Sequence, residues 1–304
     1  MTLRWDVLGI GAVSVDDLVY VDHHPLPDSK MEVRRIERQG GGLVGTALVA
    51  SARLGARAAY CGVLDGEDEL GRFTIHELER EQVDCTLVLR RHGARPFHSI
   101  IIIDSSTGQR SILFTSEGVC ELPPEAITAG HVAACRVLLV DHTIGEAGLA
   151  AVGTARRNGI PVVADIEPNS NPRLPELLER VDHLIIGIEF GRQCTGEAEP
   201  EAMVRALAGR RACCVVTAGR DGAWYAIAGG PVKHLPAFAV HAIDTTGCGD
   251  VFHGAYAASI ARAEAPARAL LVATAAAGLK AMQRGGRAGI PQREAVERFL
   301  AAQL

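Results

Sequence analysis

Chemically useful residues are densest in Asp244-Thr245-Thr246-Gly247-Cys248-Gly249-Asp250, followed by the helix-compatible run Val251-Phe252-His253-Gly254. A glycine-rich turn feeding a helix leaves backbone N–H groups without intrahelical acceptors, and those groups can face an anion. Glycines at 247 and 249 let a phosphate come close to the backbone. A carboxylate at the same helix start repels a resting phosphate, so Asp250 makes sense there when it faces a group with a proton to lose. An alcohol nucleophile meets that condition. The arrangement then suits phosphoryl transfer, with the amides of Gly247, Cys248 and Gly249 as an anion hole and Asp250 as the base that orients and deprotonates the attacking hydroxyl. An ordinary turn with a capping aspartate is the simpler alternative. Two acids bracketing two threonines and two glycines in so short a segment favour the chemical reading.

Such a turn needs a scaffold that delivers it to a cleft. Val7-Leu8-Gly9-Ile10-Gly11 reads as a short buried strand, and Gly45 to Gly55 has helical spacing, with Ala47, Ala50 and Leu54 on one face. Strand and helix then alternate through Ala59 to Leu64, a helix around Gly71 to Glu81, the strand Val137 to Val140 and the helix Gly148 to Asn158. Further short strands follow at Val162 to Ala164, Leu184 to Ile186 and Cys213 to Thr217. Strands so short and so continuously apolar predict a parallel sheet covered on both faces. Two stretches break the rhythm. Met31 to Arg38 sets Met31 and Val33 at alternate positions among charged neighbours, and Phe97 to Ile103 and Ser111 to Thr115 flank the turn Ser106-Thr107-Gly108-Gln109, a hairpin signal. Both predict strands of a small accessory sheet. From Asp250 to Met282 the alanine-rich chain suits helices packed closely on the main sheet.

Composition narrows the function classes. With 304 residues, 48% of them apolar and 22% charged, a disordered, collagen-like or disulfide-stapled chain is excluded. Lys plus Arg is 31 against 36 for Asp plus Glu, a net charge of −5, which lacks the basic excess of a nucleic-acid binder. The 8 cysteines form no C-x-x-C pair, which argues against structural zinc and fits a reducing compartment. Asp6 stands where a signal peptide needs an apolar core, and no apolar run approaches ~18 residues, so the expectation is a cytoplasmic protein without a membrane partner. Gly9-x-Gly11 lacks the third glycine of a dinucleotide fingerprint, Ser14 standing in its place. His23 and His24 read as solvated turn residues. His142, at the end of a core strand where open α/β sheets bind ligands, is a candidate substrate contact. Lys30, Arg34, Arg35 and Arg38 interleave with Glu32 and Glu37 as a solvated strand face, on which only Lys30 carries a binding hypothesis.

The segment Asp244 to Gly254 resembles the C-terminal signature of the ribokinase or PfkB family of sugar kinases. Gly40-Gly41-Gly42, followed by Ala47 and Leu54-Gly55, resembles that family's diglycine sugar-binding segment. Gly66-Glu67-Asp68-Glu69-Leu70-Gly71 resembles its G-x-D-x-x-G stretch, and Thr217-Ala218-Gly219-Arg220-Asp221-Gly222 its T-x-G-x-x-G nucleotide loop. These matches cover nearly the whole chain in the expected order. The resemblance implies one ribokinase-like three-layer α/β/α domain over residues 1–304, with a mostly parallel central sheet and a small β-sheet lid inserted at about 14–40 and 95–116. It implies an ATP-dependent sugar kinase with Mg2+ bridging the phosphates, Asp250 as base and Gly247 to Gly249 as anion hole. Asp16 would hold sugar hydroxyls, and Gly41 and Gly42 would let the sugar lie against backbone. Thr217, Gly219 and Gly222 would line the nucleotide, and the turn from Gly285 to Pro291, Gly286 included, would close over it. The backbone near Asp244 and Thr246 resembles a monovalent-cation loop, which implies K+. Lids in this family often pair into homodimers, and lid closure would exclude water, with ATP hydrolysis as the competing leak.

The chain departs from the family pattern in several places. The asparagine that the family carries in the helix after the diglycine is missing, with Gly45 there. The N-x-x-E magnesium-ordering motif, expected at 187 to 190, reads Gly187-Ile188-Glu189-Phe190, so Glu189, the candidate for reaching magnesium through water, is one place out of register. The triple glycine with Thr46-Ala47, and Gly285 to Pro291, look most like the branch that includes sulfofructose kinase. Lys30 sits where that branch places a lysine near the acidic head of its substrate, whereas Asp141-His142-Thr143 replaces its mid-chain arginine. The acceptor therefore stays open among a phosphorylated or sulfonated ketose, a neutral sugar and a nucleoside. A nucleoside kinase of the same family and a non-catalytic sugar or nucleotide sensor stand as alternatives. Gly45 and the displaced Glu189 favour the sensor, and Asp250 with its anion hole opposes it. Cys248 occupies a slot where the family commonly has alanine. A thiol at a helix N-terminus can have a lowered pKa, although a small packed side chain is the plainer reading.

Overall fold

Short apolar strands alternating with helices fold here as a three-layer α/β/α sandwich with a second, smaller sheet above it. The computed structural model describes residues 3–107, 109–168 and 171–303; Gly108 of the hairpin turn lies outside them. In chain order, β1 (Trp5–Ile10), β2 (Ser14–Val21), β3 (Arg35–Gly41), α1 (Leu43–Arg53), β4 (Ala58–Leu64), α2 (Glu69–Arg80) and β5 (Asp84–Arg90) come first. Next are β6 (Phe97–Asp104), β7 (Arg110–Thr115), α3 (Ala129–Ala133), β8 (Cys135–Asp141), α4 (Glu146–Arg157), β9 (Val162–Ile166), α5 (Leu174–Arg180) and β10 (His183–Gly187). The last third contains α6 (Ile188–Thr195), α7 (Pro200–Ala208), β11 (Cys213–Thr217), β12 (Ala223–Ile227), β13 (Lys233–Leu235), α8 (Cys248–Ala261), α9 (Pro266–Ala281) and α10 (Arg293–Ala301).

The main sheet runs β13-β12-β11-β10-β9-β8-β1-β4-β5, parallel from β11 to β5. Strand alternation splits the core in two. Val7, Leu139, Val163, Ile185 and Val215 face the layer containing α1, α8 and α9, while Leu8, Leu138, Val162 and Leu184 face the layer of α4 and α7. The edge strands β12 and β13 are antiparallel, so the sheet is mostly parallel, as expected. Tyr225 there packs on the first of these layers and Trp224 on the second, each half-covered as suits a sheet edge.

The small sheet has the order β3-β2-β6-β7. One expectation is corrected here: β3 starts at Arg35, not at Met31, because pairing with β2 begins only at Tyr20 opposite Arg35. Lys30 therefore lies in an exposed connection and not on a strand. The stretch 66–71 acts locally. The Asp68 carboxylate caps α2 by accepting from the amides of Leu70 and Gly71 at 2.9 and 3.3 Å, and a Cβ on Gly71 would overlap the Asp65 carbonyl oxygen.

Helix α8 is buried on nearly every side between α1 and α9. It meets α1 where a Cβ on Gly254 would overlap the Ala47 carbonyl oxygen, and Ser51 Oγ lies 2.9 Å from both the Ala47 and the Gly254 carbonyls. Because backbone blocks the extra methyl, Gly254→Ala should cost about 1–3 kcal/mol as overpacking. Denaturant unfolding checks this, and an unchanged midpoint refutes it.

Candidate active site

The strand order reverses between β1 and β8, which lie side by side with Ile10 opposite Val140. Open parallel sheets bind ligands at such a reversal. Asp141, at the end of β8, fixes the chain there. One of its oxygens accepts from the Ala12 amide at 2.7 Å, and the other from the amide and hydroxyl of Thr143 at 2.7 and 2.6 Å. A Cβ on Gly11 would overlap this carboxylate, so Gly11 serves the strand-end packing. The chain is thereby aimed into β2, where Asp16 accepts from Ser14 Oγ at 2.7 Å. Burial pushes the Asp16 carboxyl up, against the pull of Ser14, Ser99 and Arg287. A Cβ on Gly41 would overlap the other Asp16 oxygen, and Gly42, at φ 84°, caps α1 where an added Cβ would overlap the Ala12 and Val13 backbone.

Arg287 completes this region, and nothing in its local sequence beyond the neighbouring glycines marks it. Its guanidinium is almost entirely buried, donates from Nη2 to the Gly41 carbonyl, and lies 3.3 Å from Thr46 Oγ1 through Nε. Cβ atoms on Gly40 or Gly45 would overlap it. The adjoining Gly286 amide donates to Gln39 Oε1 of β3 at 3.0 Å.

Asp250 sits in the first turn of α8, after Gly247 at φ 74°. Cys248 donates its amide back to the Thr245 carbonyl at 3.2 Å. Gly249 is exposed, and a Cβ there would meet nothing within 4 Å, so its face of the helix N-terminus is open to a ligand. Burial, followed by the carboxylates of Asp165, Glu167 and Asp16, pushes Asp250 well above the usual carboxylate range, with Arg287 opposing. The involvement of Asp16 and Arg287 puts lid, C-terminal loop and helix start within electrostatic reach of one another. His253, one turn on, ties α8 to the sheet: Nδ1 is 2.8 Å from the Gly249 carbonyl and 3.1 Å from Asp165, and Nε2 is 3.0 Å from the Ile185 carbonyl.

The loop entering α8 is held by Asp244, whose carboxylate accepts from the amides of Thr246 and Gly285, both at 2.8 Å. Lys280, fully buried at the end of α9, donates to the Asp244 carbonyl at 2.9 Å. Arg110, at the start of β7, reaches Thr245 Oγ1 at 3.1 Å and so links the lid to the same loop. Cys248 departs from the reactive-thiol expectation. Its Sγ packs 3.6 Å from the Ala277 carbonyl, and burial pushes the thiol up, outweighing the helix N-terminus.

At the other end of the cleft edge, Thr217 Oγ1 donates to the Ile186 carbonyl at 3.3 Å. Gly219 has φ 57° and open space beside it, whereas a Cβ on Gly222 would overlap the Leu235 carbonyl oxygen of β13. Glu189 begins α6, exposed, and pairs with Arg192 at 2.6 Å. His142 accepts from the Glu167 amide at 3.3 Å through Nδ1. Among the described residues no group of three or more His, Cys, Asp or Glu is placed to hold a metal, and no helix is long and apolar enough to cross a membrane.

The family model for pfkB family carbohydrate kinases matches residues 6–293. The fructokinase of Klebsiella pneumoniae is 29% identical over 302 residues, covering 90% of this chain and 95% of its own. A structure from Agrobacterium tumefaciens, provisionally assigned as a ribokinase, superposes with a TM-score of 0.91 at 28% identity and 98% coverage of each chain. The ribokinase of Arabidopsis thaliana, solved with ribose and ATP, superposes at 0.84 with 20% identity and 99% coverage of each.

The packing of Cys248 sets a measurable order of thiol reactivity. Cys194, exposed on α6, should be alkylated by iodoacetamide at least about tenfold faster than Cys248 at neutral pH. Peptide mass spectrometry over a time course checks this, and equal rates would contradict the burial argument.

Proposed function

Because this chain belongs to the pfkB family of carbohydrate kinases, we infer that its cleft joins Asp250, as base, to an acceptor hydroxyl held by Asp16. The reaction is ATP-dependent phosphoryl transfer to an alcohol group of a sugar. The observation that supports the residue assignment is the open N-terminus of α8 at Gly249 beside Asp250, with Asp16 of the lid near enough to raise the proton affinity of Asp250. Asp16 accepts hydrogen bonds from the acceptor, and the backbone at Gly41 and Gly42 gives it a flat floor. The Asp250 carboxylate takes the proton as the acceptor oxygen attacks. The open amide at Gly249 and the α8 N-terminus, with Gly247 and Cys248 shaping the turn, stabilise charge on the transferring group. Thr217, Gly219, Gly222 and Gly286 line the nucleotide end, with the bare face of Gly219 suited to a flat base or ribose.

Magnesium, when bound with the nucleotide, neutralises phosphate charge. Burial and the Glu167 carboxylate raise the proton affinity of both Asp165 and Asp250, and Asp165 adds to the effect on Asp250, a local excess of negative charge that a cation would offset. No three of them are placed as ligands among the described residues, so the phosphates would supply most of the metal's shell. Glu189 would contribute through water only after releasing Arg192.

Lys30 and His142 are the candidates for contacting an acceptor head group, Lys30 by approach of its exposed loop and His142 from the switch point. The lid leaves Ile36, Ile100, Leu113 and Phe114 exposed, which supports pairing of two lids into a homodimer. Sedimentation of wild type and Leu113→Asp tests this: the wild type should be a dimer and the variant should shift toward monomer, while a monomeric wild type refutes the lid pairing.

ATP consumption should be stimulated by at least one member of a panel of ketoses, aldoses, nucleosides and sugar phosphates. Asp250→Asn should lower kcat by about 10²–10⁴ with nucleotide affinity retained. Binding by several sugars without any turnover would establish the sensor instead. Asp250 must be ionised to act, and its pKa is raised, so kcat/KM should fall on acidification at a pH above 3.8, the ordinary value for the group. A profile flat down to that pH would remove Asp250 as the base.

A further inference from the structure

We propose that Lys280 supplies the positive charge of the Asp244 loop from within the chain, so that the turn at Gly247–Gly249 works without a bound monovalent cation. The proposal rests on the reading of that turn as the phosphate-binding turn.

From Ala269 to Met282 Lys280 is the only charged residue, and its side chain is fully buried. An ammonium is carried so deep only when something pays for its lost hydration. Here the compensation is the Asp244 carbonyl at 2.9 Å and the Asp244 carboxylate at 3.9 Å. The other charged or titratable groups that face it are Asp250, Cys248 and Arg110. Several other oxygens and amides of the loop are already committed. The Asp244 carboxylate holds the Thr246 and Gly285 amides, and the Ala281 carbonyl, next to Lys280, accepts from Ile243 and Asp244 at 2.7 and 3.0 Å. Thr246 Oγ1 is the one buried side-chain oxygen of this loop without a partner.

A potassium ion, which the sequence resemblance implied at Asp244 and Thr246, fits this arrangement poorly. It would need the Asp244 oxygens that Lys280 uses, and it would sit beside a like charge. An ammonium group has nearly the size of a potassium ion and brings directed N–H donors, so the lysine can do the same electrostatic work. From behind the first turn of α8 it adds to the positive potential that the helix N-terminus offers a phosphate. Lys280 is thus a positioning residue: it touches Asp244, not the substrates.

Two measurements test the proposal. Initial rates of wild type should agree within about twofold when potassium chloride is replaced by choline chloride at equal ionic strength. Lys280→Ala should lose at least about tenfold in kcat, and added potassium or ammonium chloride should restore part of that loss, which a purely structural role would not allow. The second measurement needs no turnover: crystals soaked in thallium(I) should show no anomalous peak beside Asp244 in wild type and a peak there in Lys280→Ala. Saturable activation of wild type by potassium, or a thallium peak beside Asp244 in wild type, would overturn the proposal. If no acceptor supports turnover, the kinase reading fails while the wild-type thallium experiment still decides the role of Lys280. If the alanine variant does not fold, the two wild-type measurements decide it.

Discussion

Charged side chains in this cleft are seated directly against backbone, at distances where one methyl group would displace them. Asp16 lies over Gly41, Asp141 over Gly11, and the Arg287 guanidinium over Gly40 and Gly45. Each contact lets a buried charge reach its hydrogen-bond partners, the Ser14 hydroxyl for Asp16 and main chain for Asp141 and Arg287, and buried charges persist only with such partners. The glycines of the diglycine segment therefore give the protein's own ions a place to lie.

Charge is distributed unevenly between the parts that meet here. The acids come from strand ends and from the start of α8: Asp16, Asp165 and Asp250. The buried cations, Lys280 and Arg287, come from the end of α9 and the loop after it. Chain separated by more than 200 positions in sequence is thus brought into electrostatic balance, as the Arg287 contact with Gly41 shows directly. The excess of carboxylate that remains around Asp250 raises its proton affinity, and a metal–nucleotide complex is the kind of ligand that would relieve it.

The turn at Asp244 to Asp250 was legible in the sequence because all its parts are local: glycines, threonines and two acids in one segment. The alternation of short strands with helices was legible for the same reason, and the three-layer architecture followed from it. What escaped was long-range. Arg287, Lys280 and Arg110 reach the site from elements whose own patterns read as loop, helix and exposed strand. A single lysine in an alanine-rich helix was the one signal available for Lys280. The start of β3 was misplaced because the alternation of Met31 and Val33 continues past the point where β2 can pair. Cys248 shows two local rules in competition, the helix N-terminus lowering a thiol pKa and burial raising it, and only the packing against Ala277 shows that burial prevails.

Gly286 and Arg287 are anchored to Gln39 and Gly41, so the loop beside the nucleotide end is fastened to the root of β3. A lid that swings about that root carries the loop along or must break these bonds. The two ends of the cleft are consequently joined by a mechanical strut. At the other end of the lid the bond from Arg110 to Thr245 is a latch that any swing away from the α8 loop would have to open.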